Sequence, residues 1–123
     1  MQSISNRILI VEDEALVALH TQQLVTEAGY EVVGPAFDID QAKQLADTEV
    51  LAGAVLDINL AGEFVWPVAA ILTKRNIGFF FLTGFNSRFE MPLFCQSARR
   101  VVKPLDRPLF LSALAGLRDA SSP

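Results

Sequence analysis

Short runs of consecutive apolar residues alternate along this chain with segments whose apolar positions recur every three or four residues. The first run, Ile8-Leu9-Ile10-Val11, is too short for a helix and has no polar alternation. That pattern predicts a strand buried on both faces, as in a parallel sheet. Ala54-Val55-Leu56 and the longer stretch 77–82, with Phe79, Phe80 and Phe81, repeat it. Residues 30–34 and Val101-Val102 are two weaker runs. Between the runs, Val17, His20, Leu24 and Ala28 fall on one helical face, and Gly29 ends that segment. Asp38 is placed to cap a helix running through Leu45. Phe64, Val68, Ile71 and Leu72 form a third stripe, in which Pro67 is tolerable because it lies in the first turn. A last helix is predicted over residues 108–117. Residues 86–98 keep neither period. Pro92 interrupts them and Phe89, Met91, Leu93 and Phe94 are irregularly spaced, which predicts a short or irregular helix.

Strand and helix thus alternate five times. Buried strands separated by amphipathic helices imply an α/β fold, a parallel sheet covered on both faces. Right-handed crossovers make it an open, doubly wound sheet, whose site lies beyond the carboxyl ends of its strands. Those ends carry Glu12-Asp13-Glu14, Asp57-Ile58-Asn59, Thr83-Gly84 and Lys103-Pro104. Each residue alone has an ordinary structural explanation: helix-capping acids, a solvated loop acid, a capping threonine, a surface lysine. Together they would set a carboxylate cluster, a hydroxyl and an ammonium around one mouth. Clustered carboxylates repel one another unless a proton or cation intervenes. A hard divalent ion, Mg²⁺ above all, suits oxygen ligands and leaves a position for a phosphate oxygen. A carboxylate can also act as a covalent nucleophile toward phosphorus, and a metal, a lysine and a hydroxyl are what neutralise and orient a transferring phosphoryl group.

Composition narrows the function classes. A chain of 123 residues, 51% hydrophobic and 20% charged, fits one globular domain. The net charge of −4, with Arg99, Arg100 and Lys103 as the only basic grouping, argues against direct nucleic-acid binding. No apolar run reaches membrane-span length and no signal segment precedes the first strand. The single Cys95 can form no internal disulfide and reads as a small buried hydrophobe, which suits a cytoplasmic setting. His20 reads as an amphipathic residue at the edge of its stripe.

The motifs "ILIVEDE" (8–14), "VLDINL" (55–60), "FLTG" (81–84) and "VVKP" (101–104) resemble the receiver domain of two-component response regulators, in the family's order and spacing. The resemblance spans essentially the whole chain. It implies a flavodoxin-like five-stranded parallel sheet with strand order 2-1-3-4-5 and a single receiver domain over 1–123 with no effector domain. It implies that Asp57 accepts a phosphoryl group from a sensor histidine kinase. Asp13 would be the main Mg²⁺ ligand, with Glu12 acting through water and Asn59 offering its backbone carbonyl. Thr83 would bond a phosphoryl oxygen, and Lys103 would pair with the group. The Lys103-Pro104 peptide would be cis. "FLTGFN" further resembles the Phe-Ala-Thr-Gly-x-Tyr signature of the subgroup nicknamed FAT GUY, often paired with kinases of the HWE or HisKA2 type. Leu82 and Asn86 depart from that signature.

Three other readings compete, of which a histidine phosphotransfer protein using His20 fails because it would require an all-helical bundle. A phosphohydrolase of the haloacid dehalogenase type shares the aspartate, Thr, Lys and Mg²⁺, but would need an acid two residues after Asp57, where Asn59 stands. A pseudo-receiver would bind without chemistry, yet Asp13, Asp57, Thr83 and Lys103 are all present. Output is expected through a downstream protein or by drawing phosphoryl groups from a competing regulator. Leu16 and Leu19, outside the main stripe of the first helix, offer a homodimer surface. Typical receivers carry an aromatic residue three positions before the lysine, and here that position is Arg100. Gly84, Phe85 and the segment after them are therefore expected to reorganise as the switch. Hydrogen exchange over residues 84–98 is expected to differ with and without a phosphoryl mimic; identical protection would overturn this switch.

Overall fold

In the computed structural model, which describes residues 5–84 and 91–121 without the side chains of 118–121, the first aliphatic run forms β1 (Arg7–Val11), an interior strand. It is followed by α1 (Ala15–Glu27), β2 (Glu31–Ala36), α2 (Ile39–Thr48), β3 (Gly53–Asp57), a hairpin of β4 (Asn59–Leu60) and β5 (Glu63–Phe64), α3 (Trp66–Lys74), β6 (Phe79–Thr83), a single 3₁₀ turn at Leu93–Cys95, β7 (Arg100–Val102) and α4 (Arg107–Ser121). Five strands pair in parallel in the order β2-β1-β3-β6-β7. With the hairpin set aside, this is the expected flavodoxin-like order 2-1-3-4-5.

Both faces of the sheet are buried along its three central strands, which is why β1, β3 and β6 read as unbroken apolar runs, while the edge strands β2 and β7 keep exposed positions. Successive side chains point to opposite faces. Leu9, Val11, Leu56 and Phe81 pack with Ile39, Ala42 and Ala46 of α2 and with Val68, Ala69 and Leu72 of α3. Ile8, Ile10, Val55, Phe80 and Leu82 pack on the other face with Leu24 and Val25 of α1 and with Phe110, Ala113 and Leu114 of α4. Phe80 meets Phe110 edge to face at 5.4 Å. Burial of each such aromatic side chain contributes roughly 1.5–3 kcal/mol.

Local signals account for most boundaries. Asp38 caps α2 as expected, its Oδ1 accepting from Gln41 N at 2.8 Å, although the helix continues to Thr48. Gly29 stops α1 with φ +93°, a conformation that favours glycine. Cys95 is buried as expected, and burial pushes its thiol up to about 11.

Two expectations need correction. The buried face of α1 is Ala18, Thr21, Leu24 and Val25, one position round from the expected stripe; His20 is exposed and Val17 only partly buried. The small Ala18 and the self-bonded Thr21, whose hydroxyl donates to Val17 O, hid that face from an apolar count. Phe64 belongs to no helix. It lies in β5, half exposed, stacked on Trp66 at 5.4 Å, while α3 begins at Trp66. The hairpin escaped notice because its strands have two residues each and its turn is Ala61-Gly62, with φ 52° and 86°, instead of the usual Asn-Gly. Among the described residues of the irregular segment, the helix is the short 3₁₀ turn at Leu93–Cys95, in keeping with the short or irregular helix expected there.

Registers of Val11 with Leu56, Asp57 with Leu82 and Thr83 with Val102 bring the carboxyl ends of the four strands to one edge. Gly34, at φ +98°, sits beneath that edge, and a Cβ there would meet Ala36 N at 2.8 Å and Ile10 O at 2.9 Å. Both are backbone atoms and cannot step aside. Gly34→Ala is expected to lower stability by more than about 2 kcal/mol, and Asp38→Ala by about 1 kcal/mol through the lost cap. Urea denaturation midpoints of the two variants check the order.

Candidate functional site

Glu12 follows β1 directly. Its N–H donates to Ala36 O at 2.9 Å, which ties the turn out of β1 to the end of β2 and leaves the Glu12 side chain fully buried. Asp57 is the last residue of β3 and only 5% exposed. Glu12, Asp13 and Asp57 each offer an oxygen, and these oxygens lie within 4.8 Å of one another. Asp13 is steadied by the hairpin, its Oδ2 accepting from Ala61 N at 2.9 Å.

Lys103, the residue after β7, closes the cluster. Its N–H donates to Thr83 O at 2.9 Å and its peptide with Pro104 is cis, as the resemblance implied. Its ammonium lies 3.1 Å from Glu12 Oε1, 3.3 Å from Asp57 Oδ2 and 3.3 Å from Glu14 Oε1. Glu12 Oε2 accepts from both Lys103 Nζ at 3.3 Å and Glu14 N at 3.1 Å. Glu12 Oε1 is different. It is buried and near the ammonium, yet among the described residues it accepts no hydrogen bond. The distance pairs the charges without the alignment of a hydrogen bond.

These surroundings shift the protonation equilibria. Burial pushes the Asp57 carboxyl up, the Glu12 charge adds to this, and Lys103 only partly opposes it; the result is about 8. Burial alone would lower Lys103, but Asp57, Glu12 and Glu14 together hold its ammonium above the usual value. Two buried acids beside one shared cation leave an excess of negative charge that either a proton or a second cation must offset.

Of the residues named from sequence, Glu12, Asp13, Asp57 and Lys103 come together. Thr83 ends β6 at the same edge, buried, and among the described residues its hydroxyl makes only a 3.5 Å contact to Gly84 O. Such a long contact yields readily to a stronger acceptor. Asn59 opens the hairpin, exposed, its Oδ1 accepting from Gly62 N at 3.1 Å. Gly84 and Pro104 are exposed beside the mouth, and Phe85 lies outside the described residues. Arg100 opens β7 opposite Phe81 with its side chain exposed. Sequence reasoning gave no role to Glu14, which reaches Lys103, or to the Ala61 amide, which holds Asp13. The first was visible as the third acid of a run; the second had no sequence signal. Leu16 and Leu19 are 82% and 52% exposed, as expected for residues outside the buried face. Among the described residues no helix is long and apolar enough to cross a membrane.

No family model matches the chain. It is 31% identical over 87 residues to the transcriptional regulatory protein PdtaR of Mycobacterium tuberculosis, a match covering 70% of this chain and 42% of that protein. The chain thus spans less than half the length of that curated relative. Among solved structures, SdrG from Sphingomonas melonis Fr1 is similar at TM-score 0.81 and 32% identity, over 94% of this chain and 98% of that one. The response regulator PhyR from Brucella abortus is similar at TM-score 0.78 and 28% identity, over 96% of this chain and 49% of that one. A CheY-like response regulator receiver domain protein from Methanospirillum hungatei shares the fold at TM-score 0.81 and 23% identity, covering 95% of this chain and 96% of that one.

The Asp57 shift has a consequence for stability. A carboxyl raised from 3.8 to about 8 binds a proton in the folded protein that the unfolded chain releases, so its stabilising effect is complete below the unfolded value and lost as pH rises through the folded one. In EDTA, the unfolding free energy is expected to fall between about pH 5 and pH 8, and to fall less in Asp57→Asn. Urea titrations across that range check it; equal slopes in the two proteins would contradict it.

Proposed function

The chain belongs to the receiver domains of response regulators, and from that premise we propose that it accepts a phosphoryl group on Asp57 from a sensor histidine kinase, in a reaction that depends on Mg²⁺. The observation that carries this reading is the cluster itself. A nearly buried carboxylate at a strand end lies with two further acids inside 4.8 Å and with one ammonium at 3.3 Å.

The donor set fits a hard divalent ion: oxygen ligands only, with one buried carboxylate oxygen, Glu12 Oε1, that accepts no hydrogen bond among the described residues. Asp13, Asp57 and the backbone carbonyl of Asn59 would hold the ion, with Glu12 acting through water. When bound it would supply the counter-charge that favours ionised Asp57 and neutralises phosphoryl oxygens. An Asp57 carboxylate oxygen then attacks phosphorus while the bond from phosphorus to the kinase imidazole nitrogen breaks and its electron pair stays on that nitrogen. The product is an acyl phosphate, which water later hydrolyses to Asp57 and inorganic phosphate. Lys103, already 3.3 Å from Asp57 Oδ2, is placed to follow the new negative charge. Thr83, whose hydroxyl among the described residues makes only a long contact, would donate to it.

The hydrolase alternative finds no support at Asn59. That side chain is exposed and engaged with Gly62 N in the hairpin turn, so it supplies no acid or base beside Asp57. Membership of the FAT GUY subgroup, with an HWE or HisKA2 kinase as donor, is a narrower proposal. Its support is the exposed Arg100 where other receivers carry an aromatic side chain. Output through protein contacts, as a single receiver domain acting in the cytoplasm, completes the proposal.

Incubation with Mg²⁺ and acetyl phosphate is expected to add one phosphoryl group, read by intact mass, to the wild type and none to Asp57→Asn. EDTA should abolish the gain. Label that persists in the variant would refute Asp57 as acceptor.

A further inference from the structure

Lys103 is shared by three carboxylates, but only two of them belong to the cluster that suits a cation. Glu12 and Asp57 do; Glu14 does not. Glu14 is also unlike them in setting. Its side chain is 64% exposed, at the start of α1, while those of Glu12 and Asp57 are buried. The ammonium therefore has a solvent-side partner outside the group of oxygens that an incoming cation would use.

A divalent cation and an ammonium compete for the same carboxylate oxygens, since each lowers the negative potential that attracts the other. For Mg²⁺ to enter beside Glu12 and Asp57, Lys103 must give up part of its pairing with them. Released into a site that holds another cation, it would swing toward bulk water unless a carboxylate outside the cluster retained it. We propose that Glu14 is a positioning residue that receives Lys103 when a divalent cation enters, which favours cation binding and keeps the ammonium at the mouth, within reach of a phosphoryl group on Asp57. The proposal rests on the Mg²⁺ reading above. It assigns to Glu14 a role exerted through Lys103, distinct from the direct attraction of its own charge for the ion.

The geometry suits that role. Glu14 is anchored by its own backbone N–H, which donates to Glu12 Oε2 at 3.1 Å, so its side chain leaves the same turn that presents the cluster. Its Oε1 reaches Lys103 Nζ at 3.3 Å from the opposite side of the chain, 89 residues away in sequence. Aspartate, shorter by one methylene, would keep the charge and lose that reach.

A double-mutant cycle with Mg²⁺ as the probe, read by isothermal titration calorimetry on the whole chain, separates the two effects. Glu14→Gln is expected to raise the Mg²⁺ Kd about tenfold in the wild-type background and about threefold in Lys103→Met, where only the direct charge remains. Glu14→Asp, at an exposed position where folding is not at risk, is expected to fall nearer to Glu14→Gln than to the wild type. An equal loss in both backgrounds, or wild-type affinity in Glu14→Asp, would overturn the positioning role. Absence of Mg²⁺ binding in the wild type itself would instead overturn the cation-dependent reading on which it rests.

Discussion

One ammonium among buried carboxylates governs the candidate site. Glu12 and Asp57 are carried out of water by the strands that hold them, and a buried carboxylate without a partner is costly enough that it either pairs or takes up a proton. Lys103 supplies one positive charge against both, and Glu14 draws part of that charge toward solvent. Burial, with the Glu12 charge added and Lys103 only partly opposing, pushes the Asp57 carboxyl up to about 8. The acids of such a site carry an excess of negative charge that a further cation would offset.

The sheet makes this arrangement possible by burial alone. β1 and β3 pair through Ile8 to Val11 and Gly53 to Leu56, with nothing but apolar side chains or glycine along them, so the first polar residues appear together at one edge. β6 does the same with three phenylalanines before Thr83. Below that edge Phe80 packs on Phe110 and Phe81 packs beside α3. The hairpin adds a second constraint. Its tight Ala61-Gly62 turn presents an amide to Asp13, so an acid of the β1 loop is held by a segment that follows β3.

Much of this was legible in the residues. Continuous apolar runs identified the three central strands β1, β3 and β6, because strands buried on both faces cannot hide a polar position; the edge strands β2 and β7, partly exposed, gave only weaker runs. Asp38 announced its helix, and the four strand-end motifs announced the mouth. What stayed illegible has physical causes. The buried face of α1 is made of Ala18 and Thr21 as much as of Leu24 and Val25, so a count of large apolar residues selected the neighbouring stripe. Phe64 has the right spacing for α3, yet it stacks on Trp66 from a two-residue strand whose turn lacks the usual residues.

The sequence by itself determined the class of fold, the strand order that its family resemblance implied, and which acids, hydroxyl and lysine stand at strand ends. Those depend on local pattern and on side-chain chemistry, which the chain carries openly. Only the tertiary structure decided how the charges are shared. Glu14 and Lys103 are 89 residues apart, Asp13 and the Ala61 amide 48, and no local rule relates them. Their meeting depends on the register of β1, β3, β6 and β7, because a carboxylate acts on a lysine only at the few ångströms to which the packed sheet brings them.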